Sequence, residues 1–283
     1  AVMLAALSFS LTTIVSSEDD LGGYELKDFW RRSLIQSVAA RTFAKGLEKT
    51  FIEEAFTCGL LLDISVPIFA RVAGERYTPV IIAMDAAHPD SRLEQQNVGA
   101  THAELGALLM QEWRLPEILV DVVRFHHTPE QLPDGTPVRS VELTRVMHLA
   151  HLSAGVMMAE NKGENLRQLE DAAARWFGRD SAFIEASMKS LVPTVEQLAE
   201  IVQVDIGGEI SPDEMLEIAR AELLNLSLAA ASELNRAENR VAELEVKAST
   251  DALTGVFNRS AFDNTLNREW DKRAGAEFPT PPG

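Results

Sequence analysis

Six histidines, His88, His102, His126, His127, His148 and His151, lie between residues 88 and 151. A lone aspartate, Asp63, stands in the apolar run EAFTCGLLLDISVPIFA. An ionised carboxylate in such a segment is costly to bury unless a cation, a metal or several hydrogen bonds meet it. All the histidines but His88 fall in three stretches, THAELG, RFHHTPE and MHLAHL, which read as parts of separate helices. A bundle of those helices can aim several imidazoles at one point. Neutral imidazole with carboxylate suits iron, manganese or zinc, and a pair of such ions activates water for phosphoester hydrolysis. One reading is therefore a helical metal site made of Asp63 and some of these histidines. The other is that each histidine is a satisfied interior or surface residue, and spacing does not choose between them.

The elements that must position these groups read as helices. In KDFWRRSLIQSVAARTFAKGL, Asp28 is placed to cap a helix with Trp30, Leu34, Val38 and Leu47 on one face. Thr50-Phe51-Ile52-Glu53 has the form of a capping box that launches the Asp63 segment, with Pro67 bending or interrupting it. Further helices are expected near 75–87, 93–113, 116–127, 138–160, 165–178 and 194–203, with Pro116 in a first turn and PEQLPDGTP as a loop. No strand alternation or internal repeat stands out before residue 250. The opening AVMLAALSFSLTTIV lacks a basic start and is too short and polar for a membrane span, so a core helix is expected there; the absence of an initiating Met points to a longer parent protein.

The chain has 283 residues, 46% hydrophobic and 24% charged, with net charge −17. No basic stripe interrupts the acidic background, which argues against nucleic-acid binding. The single Cys58 excludes an intramolecular disulfide framework and fits a reducing compartment. The expectation is a cytoplasmic protein without a membrane anchor. A boundary is expected at VDIGGEISPDE, where Ser211 and Pro212 open a long helix. Its later half sets Leu234, Val241 and Ala248 seven apart, with Ala230, Ala237 and Leu244 on a companion row and charges of both signs alongside. That pattern predicts a parallel coiled coil, and hence a homodimer through residues 211–250. A lone amphipathic helix packed on its own domain is the alternative.

DFWRRSLIQSVAARTFA, EAFTCGLLLDIS and QNVGATHAELGALLMQEWRLPEILVDVVRFHHTP together resemble the HDOD domain, a helical bacterial signalling module related to the metal-dependent HD phosphohydrolases. The resemblance spans about residues 1–205 and implies an all-α, HD-like helical bundle. It also implies where ligands would fall. The early histidine of catalytic relatives falls at Arg32, and the His-Asp dyad at Leu62-Asp63. His102 and the pair His126-His127 match retained positions, and the closing aspartate falls at His151. The Gly-Tyr-Pro motif of the related cyclic-dinucleotide phosphodiesterases is missing near Asp134-Gly135-Thr136-Pro137. Leucine cannot bind a metal, and arginine offers only donors. The expectation is thus a non-enzymatic site in which Asp63 pairs with Arg32 or a retained histidine. The remnant set Asp63, His102, His126, His127 and His151 leaves room for a residual iron, manganese or zinc ion but for no required cofactor.

STDALTGVFNRSAFDNTLNREW resembles the opening of a GGDEF diguanylate cyclase domain, of which the chain holds only the start. The similar-looking Ile206-Gly207-Gly208-Glu209-Ile210 lies upstream of that start and reads as a glycine break. The organisation expected is therefore 1–210 an HDOD-like domain, 211–250 a signalling helix and 251–283 a truncated GGDEF-like start. The function expected is response-regulator-like signalling by contact with an unidentified protein partner. The alternatives are an HD-type phosphohydrolase with a degenerate site, or the sensory half of a longer cyclase.

Overall fold

A computed structural model describes residues 21–85, 88–205, 207, 211–251, 254, 256 and 258–274. In chain order the helices are α1 (Leu26–Gly46), α2 (Ile52–Leu61), α3 (Ser65–Ala73), α4 (Thr78–Ile82), α5 (Ser91–Asn97), α6 (His102–Glu112), α7 (Glu117–Phe125), α8 (Val138–Met158), α9 (Lys162–Phe177), α10 (Ser181–Val202), α11 (Pro212–Ser249) and α12 (Arg259–Ala274). The described residues hold no strand beyond an isolated bridge between Asp85 and His88. The chain divides by packing into two units, residues 1–224 and 225–283.

The first unit is organised by the crossing of α1 and α2. Gly59 makes that crossing close: a Cβ there would sit 2.4 Å from Ser37 Cα, so only a glycine lets the two backbones meet. Four residues on from Gly59 stands Asp63, and one turn back along α1 from Ser37 stand Ser33 and Arg32. The close crossing therefore lays the carboxylate against α1. Around it the apolar residues form two clusters. One joins α1, α2, α8, α9 and α10 and contains Phe43, Leu62 and Met147; the other contains Phe29, Leu61, Ile64, Tyr77 and Met110. Leu62 belongs to the first cluster while Leu61 and Ile64 belong to the second, so Asp63 sits where the two meet.

Several local expectations are corrected. Helix α1 begins at Leu26, so Asp28 lies in its first turn rather than at the cap. Thr50 forms no capping box: Phe51 takes the N-cap position without a side-chain bond, and Thr50 Oγ1 instead accepts from Arg139. The break in the Asp63 segment falls at Leu62–Ile64, ahead of Pro67, which sits in the first turn of α3, where its missing N–H costs nothing. The span 52–76 is long and apolar enough to cross a membrane but is mostly buried in the bundle. The single helix expected at 93–113 is two, α5 and α6, separated around Gly99 at φ +87°. The span expected at 194–203 is only the end of α10, which accommodates Pro193 internally. The opening segment, most of the IGGEI stretch, and Leu253, Gly255 and Phe257 lie outside the described residues.

Helix α11 opens as its sequence predicts, with Ser211 Oγ accepting from Glu214 N–H at 3.3 Å. Met215, Leu216 and Ala219 are buried in the first unit, and Glu222 accepts from Gly163 N–H at 2.8 Å. By packing, the unit therefore runs to Leu224, beyond the glycine break where the composition changes. In the second unit Leu234, Val241 and Leu244 are exposed. Asp251 Oδ1 accepts from both Thr254 N–H and Thr254 Oγ1, and Asn258 Nδ2 donates to Ala248 O, so this turn ties the end of α11 to the start of α12.

Gly59→Ala is expected to force α1 and α2 apart and to lower stability by about 1–3 kcal/mol, as overpacking against backbone does. Urea unfolding of the two proteins measures it, and an unchanged midpoint would show that the crossing tolerates a methyl group.

Candidate functional site

The site grows from six segments. Helix α1 supplies Arg32 and Gln36, the α2–α3 break Asp63, the start of α6 His102, and the end of α7 His126 and His127. His151 comes from α8, and His88 from the segment before α5. Asp63 is 3% exposed and Arg32 2% exposed, while His102 and His126 are fully buried.

The two carboxylate oxygens of Asp63 have different partners. Oδ2 accepts from Arg32 Nε at 3.2 Å and from Gln36 Nε2 at 2.9 Å. Oδ1 has no hydrogen bond and faces His126 Nε2 at 3.5 Å and His102 Nε2 at 3.8 Å. Arg32 reaches further: its Nη2 lies 3.0 Å from His151 Nδ1 and donates to His151 O at 3.4 Å. One guanidinium thus links the carboxylate to α8.

The histidine tautomers follow from their partners. His126 Nδ1–H donates to Val123 O at 2.8 Å, which turns Nε2 toward Asp63 Oδ1. His102 is set more firmly still. Thr101 and Glu104 form a capping box that fixes the first turn of α6. One oxygen of the fully buried Glu94 then accepts both His102 N–H at 2.9 Å and His102 Nδ1–H at 2.7 Å. Tyr77, also fully buried, donates its hydroxyl to the other oxygen of Glu94. His102 Nε2 is thereby turned inward, 2.8 Å from His127 Nε2, which lies 3.3 Å from His88 Nε2. His148 stands outside this group; its Nδ1 binds His126 O at 2.6 Å and steadies the turn that carries the histidine pair.

Burial would raise the Asp63 carboxyl, but His126, Arg32 and His102 outweigh it and hold the group well below the usual carboxylate range. Burial pushes His88, His127 and His151 well below the usual imidazole range, helped by one another and by the Arg32 guanidinium near His88 and His151.

These residues fit one metal ion. The ligand atoms of Asp63, His88, His102 and His126 all lie within 4.8 Å of one another, as do those of His88, His126, His127 and His151. Carboxylate and neutral imidazoles turned inward, with their outer nitrogens held by a carboxylate or a carbonyl, are what a first-row metal requires. A second ion would have to share Asp63 Oδ2 and His151 with a permanent guanidinium cation. Of the residues singled out in the sequence, Arg32, Asp63, His102, His126, His127 and His151 are thus all brought together. His88, one of the six clustered histidines but outside the family's ligand pattern, joins them, and Gln36, Tyr77 and Glu94 belong with them but carry no signal in spacing. Glu94 precedes His102 by eight residues across a glycine break, a separation that no helical period would pair.

The bundle and its polar centre define an all-α, HD-like helical domain. Residues 1–129, which run through His126 and His127, match the family model of the HDOD domain. A crystal structure of an HDOD domain protein of unknown function from Geobacter sulfurreducens shares the fold at TM-score 0.52 and 15% identity, covering 67% of this chain and 66% of that one. The MmoQ response regulator from Methylococcus capsulatus is 24% identical at TM-score 0.48, over 64% of this chain and 68% of that one. An uncharacterized protein of Treponema pallidum is 28% identical over 123 residues, 43% of this chain. Only 23% of that relative is spanned.

Two predictions follow from the geometry. Removing Arg32 alone strands a buried carboxylate and is expected to lower stability by about 3–5 kcal/mol. The double variant Arg32→Ala/Asp63→Ala is expected to be less destabilised than Arg32→Ala. A double-mutant cycle by chemical denaturation reads this, and additive losses would show that the pair is not coupled. The second concerns pH. His88, His127 and His151 stay neutral in the native state while the unfolded chain takes up protons near pH ~6.5, so the unfolded state binds more protons there and stability falls as pH drops through that value. The depressed Asp63 acts in the same direction at lower pH: its contribution is present above about pH 4 and is lost below it. Metal-free protein should therefore have a lower urea midpoint at about pH 5.5 than at about pH 8; equal midpoints would mean that the imidazoles titrate normally.

Proposed function

We propose that this protein is a bacterial signalling module whose HDOD domain acts through protein contacts and not by hydrolysis. The observation that carries this is the position of Arg32. Its guanidinium is bonded to Asp63 Oδ2 and lies against His151 Nδ1, where a two-metal centre would need a second ion. Leu62, at the place where the resemblance puts a ligand histidine, is fully buried in an apolar cluster and offers no donor. A phosphoester would meet at most one Lewis acid, without the symmetric clamp that stabilises both the attacking and the leaving oxygen.

The output element in this proposal is α11. Its first turns are anchored in the domain core by Met215, Leu216 and Ala219, and its later residues carry the exposed Leu234, Val241 and Leu244 in heptad register. A second copy of the helix would cover that row as a parallel coiled coil and give a homodimer. The Asp251–Thr254 turn that follows, with its resemblance to the start of a GGDEF domain, makes the helix a lead-in to a further domain of a longer protein.

A phosphodiesterase assay with cyclic dinucleotides and an aryl phosphodiester, in the presence of manganese, tests the central point. No turnover above that of an Asp63→Ala control is expected, together with dimer mass by light scattering that reverts to monomer when Leu234, Val241 and Leu244 are replaced by serine. Turnover that depends on Asp63 would establish the degenerate phosphohydrolase instead, and a wild-type monomer would remove the coiled coil.

A further inference from the structure

Asp63 Oδ1 and His126 Nε2 are both buried, both lack a hydrogen bond, and face each other at 3.5 Å. With the His126 Nδ1 proton committed to Val123 O, the facing atoms of the neutral imidazole and the aspartate are a lone pair and a carboxylate oxygen. Two such acceptors repel unless something positive stands beside them. The guanidinium does not serve, because it lies on the other carboxylate oxygen.

We infer that His88, a residue outside the HD ligand pattern, completes a mononuclear divalent-metal site with Asp63 Oδ1, His102 Nε2 and His126 Nε2, and that Glu94 is its positioning residue. Of the two groups of convergent donors, this is the one that includes a carboxylate charge; the other depends on His151, which is already engaged by a cation. His88 supplies the third imidazole in place of the histidine that Leu62 displaces. Three imidazoles and one carboxylate favour a zinc-class ion over magnesium or calcium. Glu94 holds His102 with its Nε2 inward, and Tyr77 holds Glu94, a carboxylate–histidine arrangement that typically governs metal affinity. An entry path exists: a cavity of about 460 Å³ lined by Arg32, Asp85, His88 and His151 opens beside the site. The ion would be a bound structural or sensory ligand of the signalling module. The inference thus rests on Arg32 having superseded the second ion.

The test is titration of chelator-treated full-length protein with cobalt(II), read by its visible d–d absorption, followed by competition with zinc. One cobalt per chain is expected, with the intense bands of a four-coordinate site, and displacement by zinc. Glu94→Gln should weaken cobalt binding by about 10–100-fold, the usual effect of losing a ligand's support, and His88→Ala, which removes a ligand itself, by at least as much. Asp171→Asn, an exposed carboxylate on α9, should leave binding unchanged. Circular dichroism confirms that each variant is folded; should Glu94→Gln unfold, His88→Ala, altered in the segment before α5, still decides. No binding by the wild-type protein overturns the site, and wild-type affinity in folded His88→Ala overturns the role of His88. Binding of two ions per chain would overturn the reading of Arg32 itself, whereas absence of any binding would leave the non-hydrolytic reading standing.

Discussion

One carboxylate with two unlike oxygens organises this protein. Asp63 is buried where two apolar clusters meet, and Arg32 and Gln36 satisfy its Oδ2. The same guanidinium ties the α2–α3 break to α8 through His151, so a single cation joins three segments distant in sequence. Oδ1, turned the other way, leaves a negative point among inward-facing imidazoles. One side of the carboxylate thus meets a permanent charge, and the other meets the donor atoms of His102 and His126.

That division sets a permanent charge on one carboxylate oxygen against a cluster of imidazoles on the other. A guanidinium cannot exchange, activate water or bind a phosphoryl oxygen as a Lewis acid, but it holds helices together regardless of metal supply. The close approach at Gly59 and the capping box at Thr101 place Asp63 and His102 by backbone geometry alone. Glu94 and Tyr77 then set the ring of His102. The first turns of α11 are part of the same core, through Met215, Leu216 and Ala219.

Much of this was legible in the sequence, for identifiable reasons. The all-helical class followed from apolar residues at three- and four-residue intervals, and the importance of Asp63 followed from the cost of burying a charge among leucines. The convergence of Arg32, Asp63, His102, His126, His127 and His151 came from a resemblance, not from spacing. What stayed hidden was tertiary or local. Gly99 splits a continuous-looking helix because its left-handed φ ends α5 early. Thr50 looked like a cap but is taken by Arg139 from a distant helix. Glu94, Tyr77 and His88 enter the site across loops, where no periodicity reports proximity. The composition break at Gly207-Gly208 is not where packing ends, because the first turns of α11 still carry buried Met215, Leu216 and Ala219.

The central claim, that Arg32 and a single ion divide Asp63 between them, is tested most directly by anomalous diffraction from crystals grown with zinc. The account predicts one anomalous peak per chain beside Asp63 Oδ1, with the Arg32 guanidinium still on Oδ2. Two peaks in the histidine cluster, or a guanidinium swung out to make room for a second ion, would contradict it.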